Sequence, residues 1–134
     1  MLPMRPTPPD IVLLATEWRP RALIRAQLIE VGFEVVARNS WPMMRRHLRP
    51  GIKPRLVFVD LQGLDDPIRV LGELRVLMKP ERVLVLTAMG TISIADIERL
   101  GFHVLHRPIV IDKVVRTAIA LIRGASARTE VAKA

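Results

Sequence analysis

Arg55-Leu-Val-Phe-Val-Asp60, with Leu61-Gln62-Gly63 behind it, is an apolar run of strand length that stops abruptly at a carboxylate and a glycine turn. A run without polar alternation, rich in branched and aromatic residues, suits a strand buried on both faces, as in a parallel sheet covered by helices. In an open sheet of that kind ligands bind beyond the carboxyl ends of the strands, where the connecting loops diverge. Asp60 falls at that edge and is the first candidate for a functional residue. The competing explanation is local, since Asp at a strand end also caps turns through its side-chain oxygen.

Working outward, the same pattern repeats on both sides. Ile11-Val-Leu-Leu-Ala15 is a short apolar strand, and Thr16-Glu17-Trp18-Arg19 leads into a helix with Pro20 in its first turn, where a missing N–H is harmless. Leu23, Ile24, Leu28 and Val31 recur at helical spacing, and Gly32 ends that helix. Phe33 to Arg38 reads as a second strand, Trp41 to Leu48 as a short helix stopped by Pro50-Gly51. After Asp60, Asp66-Pro67 has the form of an N-cap and a first-turn proline, with Ile68, Leu71, Leu74 and Met78 on one face until Pro80. Arg82 to Thr87 is a fourth strand. Ser93-Ile-Ala-Asp96 has capping-box spacing, with Asp in place of Glu, and opens a helix that ends at Gly101. Phe102 to His106 is a fifth strand, and Val114, Val115, Ala118, Leu121 and Ile122 mark an amphipathic last helix.

Strand and helix thus alternate five times, which predicts an α/β fold, a parallel sheet with helices on both faces. The chain of 134 residues is the size of one domain with one core. Residues 1–9, with four prolines, are expected to be a disordered lead-in, 10–124 the domain, and 125–134 a flexible tail. There is no cysteine, so disulfides and thiolate metal sites are excluded. No apolar run approaches the roughly 18 residues that would span a bilayer, and the start lacks the apolar core of a signal peptide. A cytoplasmic location, without membrane contact, is the expectation. The formal charge of +8 favours acidic partners without choosing among them.

With its strand-end markers in order, Asp60 after strand three, Thr87-Ala88 after strand four and Arg107-Pro108 after strand five, the chain resembles the receiver domain of two-component response regulators, of the chemotaxis-regulator type. The resemblance covers residues 10–124 and implies a flavodoxin-like sheet of order 2-1-3-4-5. It implies phosphoryl acceptance at Asp60, with Thr87 and Arg107 as the phosphate-contacting or switch residues. Physically, a carboxylate that attacks a phosphoryl donor needs cations to stabilise charge on the transferring oxygens. The resemblance also implies Mg at an acidic pair after strand one, but Ala15 and Thr16 stand there, and Glu17 and Asp60 are the only carboxylates left to hold it. Arg107 replaces the expected Lys, a planar fork in place of a compact ammonium. Val104 stands where an aromatic switch residue is expected, and Leu64 where a proline is. These departures point to a degenerate, atypical receiver in which Asp60 and Arg107 form a standing ion pair.

Other candidates are less specific. His103 and His106 point to opposite faces of a strand, and His47 lies alone on the second helix without a cluster of metal ligands. Ser40 and Ser93 read as loop and cap residues. Arg45, Arg46 and Arg49 form a basic stripe, but only Trp18 and Trp41 offer stacking surfaces, so a nucleic-acid role is disfavoured. The expectation is a stand-alone signalling domain, not an enzyme, that acts by protein contact in a phosphorelay. Its expected partners are a histidine kinase, phosphotransfer protein or output protein, with homodimerisation through helix four, strand five and helix five. A competent Mg-dependent aspartyl phosphoacceptor and a basic nucleic-acid-associated module stand as the alternatives.

Overall fold

A computed structural model describes residues 7–88, 92–108 and 110–131, with side chains as far as residue 124. Residues 1–6 of the expected lead-in and 132–134 of the expected tail lie outside the described residues. Five parallel strands form one sheet in the order β2-β1-β3-β4-β5. They are β1 (Ile11–Leu14), β2 (Val35–Arg38), β3 (Leu56–Asp60), β4 (Val83–Leu86) and β5 (His103–Leu105). The helices between and after them are α1 (Trp18–Glu30), α2 (Trp41–Arg45), α3 (Pro67–Leu77), α4 (Ile94–Arg99) and α5 (Ile111–Val131). This is the α/β, flavodoxin-like arrangement expected from the alternation of elements.

The pleat of β3 explains why its run is continuously apolar. Leu56 and Phe58 join Ile24 and Leu28 of α1 and Val114, Ala118 and Ile122 of α5 in one cluster. Val57 and Val59 face the other way, toward Met44 of α2, Leu71 and Leu74 of α3 and Ile97 of α4. Successive side chains alternate between faces, so a strand covered on both sides needs apolar residues at every position. At the end of this strand Asp60 is the one buried charged residue among those described.

Several boundaries differ from the expectation. β2 begins at Val35, because the Phe33 N–H closes the end of α1 on the Leu28 carbonyl at 3.1 Å. β4 begins at Val83, since Pro80–Arg82 forms a short 3-10 turn. β5 is limited to His103–Leu105. α2 stops at Arg45, and Leu48 reaches the core from the turn that follows. Leu23 and Val31 are exposed, as is Ile68, so α1 buries only Ile24 and Leu28. Ser93 does cap α4, accepting from the Asp96 N–H at 3.2 Å. The reciprocal half of a capping box is replaced by an Asp96 ion pair with Arg99 at 3.0 Å. The last helix is helical as far as Val131, past the boundary at residue 124 where the tail was expected to begin. Alanine, arginine and glutamate there are good helix formers, and Gly124 lowers helix propensity without ending the helix.

Candidate functional site

β3, β4 and β5 are neighbours in the sheet, so their carboxyl ends bring Asp60, Thr87 and Arg107 to one edge. The ladder continues past the strands: the Leu61 N–H donates to the Leu86 carbonyl and the Thr87 N–H to the Leu105 carbonyl, both at 3.0 Å. Arg107, two residues beyond β5, reaches back to Asp60, its guanidinium nitrogen donating to Oδ1 at 2.6 Å. The Asp60 side chain is 2% exposed and that of Arg107 20%, so this is a largely buried, charge-assisted contact. Oδ1 also accepts the Gln62 backbone N–H at 2.9 Å, closing the turn after the strand. The standing ion pair expected from the residue types is therefore present.

Burial pushes the Asp60 carboxyl above its ordinary value, and the negative charge of Glu17 adds to the rise. The Gln62 N–H and the Arg107 guanidinium pull it back without cancelling the shift. Withdrawing a carboxylate from water thus outweighs the two donors that meet it. The net stability gained from such a pair is small, because the desolvation of both charges offsets their attraction. The buried Arg107 Nε has no hydrogen-bond partner among the described residues, and an unsatisfied buried donor is costly.

The surroundings decide whether a hard cation fits. Thr16, at the position where an acid was expected, donates its hydroxyl to the Gln62 carbonyl at 2.6 Å. Arg21 donates to the carbonyls of Ala15 at 2.8 Å and Thr16 at 3.2 Å. Mg requires several oxygen ligands in near-octahedral geometry. Here each of these carbonyl oxygens and Asp60 Oδ1 already accepts from a protein donor, and two guanidinium groups stand close by. Glu17 is exposed, and among the described residues no three His, Asp or Glu side chains converge as a metal site. The residues present do not fit Mg.

Thr87 is half-buried at the same edge, and its hydroxyl makes no hydrogen bond among the described residues. Val104 is partly buried against the α3 and α4 side of the sheet, filling with a small side chain the place of the expected aromatic. Gly63 has φ +72°, and a Cβ there would lie 2.5 Å from the Thr16 hydroxyl, so a glycine is needed both for the turn and for the close approach. Of the histidines, His103 Nε2 lies 3.1 Å from the Glu81 carbonyl and His106 is exposed. His47 sits half-buried in the turn after α2, and burial, helped by Arg38, lowers its pKa. Sequence reasoning found Asp60 and Arg107 but missed Thr16, Arg21 and Gln62. Their contributions run through backbone groups, for which residue type carries little signal.

No protein-family model and no curated protein matches the sequence. Among solved structures, NtrX from Brucella abortus, in a crystal with ADP, is 24% identical with a TM-score of 0.74, over 94% of this chain and 30% of that one. The chain thus spans under a third of the length of those NtrX chains. The isolated receiver domain of the same NtrX is 25% identical over 85% of this chain and 98% of that one, with a TM-score of 0.70. The signal receiver domain of a LuxO-type repressor from Vibrio parahaemolyticus is 19% identical, over 92% and 97%, with a TM-score of 0.75. Strand order, helix placement and these likenesses define the class: the fold is that of the response regulator receiver domain. On that fold this chain carries Ala15 and Thr16 after β1 and an arginine paired to the β3 aspartate.

Proposed function

We propose that the protein is an atypical receiver-type signalling domain that works by protein contact in a two-component system, without phosphorylation of Asp60. The observation that carries this reading is the 2.6 Å contact of Arg107 with Asp60. It holds the guanidinium on Oδ1, an oxygen that a metal or a phosphoryl donor would need, and supplies only one of the cations that phosphoryl transfer requires. The engaged carbonyls of Ala15, Thr16 and Gln62 support it, because they leave a metal-assisted phosphoryl transfer without its second cation. In this reading Asp60, Thr87 and Arg107 hold one conformation of the sheet edge instead of switching between two. The domain is cytoplasmic, has no catalytic activity of its own, and engages a histidine kinase, a phosphotransfer protein or an output protein.

The contact surface is the face formed by α4, β5 and α5, which a second copy of the chain would share. Exposed Val110 and Arg99 border it. Partner capture from cells of the source, using wild type, Asp60→Asn and a Val110→Glu/Arg99→Glu variant, tests the proposal. Equal capture by wild type and Asp60→Asn, with loss in the surface variant, is the expected outcome. Capture that disappears in Asp60→Asn, or that the surface variant leaves intact, would reject it.

A further inference from the structure

A cleft of ≈ 890 Å³ opens between α2 and α3, bordered by the loops that follow β1, β2 and β3. It exists because α2 is only five residues long, after which the chain turns away toward Pro50-Gly51 and leaves that side of α3 uncovered. Leu77 lines it with partly exposed apolar surface over the nearly buried Leu48 and Val70, and Trp41 and Pro42 add flat, rigid walls. Its size lies within the range of small-molecule sites, and so does its mixture of apolar lining and a few polar groups.

The charges in the wall are divided in a way that selects a ligand. Glu73 accepts the Trp41 indole N–H at 2.6 Å and Arg45 at 3.0 Å, with Arg69 at 4.0 Å, so its charge is matched within the wall and the indole is held in one orientation. Arg46 and Arg49 also line the cleft and have no acceptor among the described residues. Around the strand-end loops, the Ser40 hydroxyl caps nothing and the Asp65 carboxylate has no donor among the described residues. An occupant therefore needs an anion for the two free guanidinium groups, a flat apolar body between, and hydrogen-bonding groups for Ser40 and Asp65. Guanidinium suits carboxylate and phosphate oxygens equally, and the overall charge of +8 concentrates anions near the surface.

We propose that this cleft binds a small organic anion, a carboxylate or phosphate ester carrying a flat apolar group. The inference is independent of the signalling reading, although the cleft adjoins the Asp60 pocket. Thr16 and Gly63 belong to its lining, and the Thr16 hydroxyl holds the same Gln62 whose N–H meets Asp60.

The test uses Trp41 as its reporter. Trp18 is 67% exposed, so Trp18→Phe leaves a folded chain with Trp41 as its single indole. That protein is titrated with adenosine monophosphate, benzoate and inorganic phosphate, and again after Arg46→Ala/Arg49→Ala, two exposed changes whose melting temperature serves as the folding control. The expected result is a saturable change in Trp41 emission with the nucleotide or benzoate. It should weaken at least about tenfold in the double variant, the scale of losing a charged hydrogen-bonding partner, and be absent with phosphate alone. The proposal is overturned if neither organic anion saturates at millimolar concentration. It is also overturned by a response that persists in the double variant, is matched by phosphate alone, or follows protein concentration as self-association would.

Discussion

Replacing Asp60 separates the two roles of its carboxylate, partner of Arg107 and buried charge. Truncating one member of a fully buried pair costs about 3–5 kcal/mol, and of an exposed pair about 0–1 kcal/mol. The Arg107 side chain keeps 20% of its surface, so it can recover part of its hydration, and Asp60→Ala is expected to cost on the order of 2 kcal/mol. For a domain of this size that corresponds to a fall in Tm of roughly 6–10 °C. Asp60→Asn is different, because the amide oxygen still accepts from Gln62 and Arg107 while no charge is withdrawn from water. It should be at least as stable as wild type at pH 7. The sign of the pH dependence follows from the raised Asp60 pKa. A raised carboxyl contributes stability that is fully present below its unfolded value, about 3.9, and is lost as pH rises through the folded value. Wild type should therefore gain on Asp60→Asn as pH falls from 7 toward about 4. Thermal melts of the three proteins across that range are the assay. Equal stability of Asp60→Ala and wild type would refute the buried-pair account. An Asp60→Asn as unstable as Asp60→Ala would show that the carboxylate charge stabilises the fold, contrary to the dominance of burial.

Gly63→Ala meets both a positive φ and the Thr16 hydroxyl 2.5 Å away, and should cost about 1–3 kcal/mol. In a Thr16→Ala background the steric part disappears and only the backbone part, about 1 kcal/mol, remains, which a double-mutant cycle in urea will resolve. Glu73→Ala strips the acceptor from the Trp41 indole and from Arg45, and is expected to lower stability by about 1 kcal/mol and to shift Trp41 emission in the Trp18→Phe background. Ser93→Ala removes the cap bond to the Asp96 N–H, at a cost of about 1 kcal/mol, measured by denaturant melts.

The fold was legible because its signals are redundant. Five apolar strands, each followed by a helix, admit few topologies, and the Asp60 strand alone indicates a sheet covered on both faces. Boundaries failed where a side chain's type says little about its environment. Leu23 and Val31 have helical spacing, yet α1 rests on the sheet through Ile24 and Leu28 alone. Trp41 to Leu48 looked like a single helix, but Leu48 reaches the core from a turn, and the cleft beside α2 follows from that early stop. At the site, Asp60 and Arg107 were visible as opposite charges at neighbouring strand ends. The engagement of the Ala15, Thr16 and Gln62 carbonyls was not visible, because every residue has a carbonyl and only the fold decides what meets it.

Intact-mass spectrometry after incubation with acetyl phosphate and Mg, on wild type and Asp60→Asn together, tests the central claim most directly. With Arg107 seated on Asp60 Oδ1 and the Ala15, Thr16 and Gln62 carbonyls engaged, both folded proteins are predicted to keep their unmodified mass. A phosphoryl adduct on wild type that Asp60→Asn lacks would contradict the account, because it would mean that Arg107 yields the carboxylate to a phosphoryl donor and that the pocket admits the chemistry.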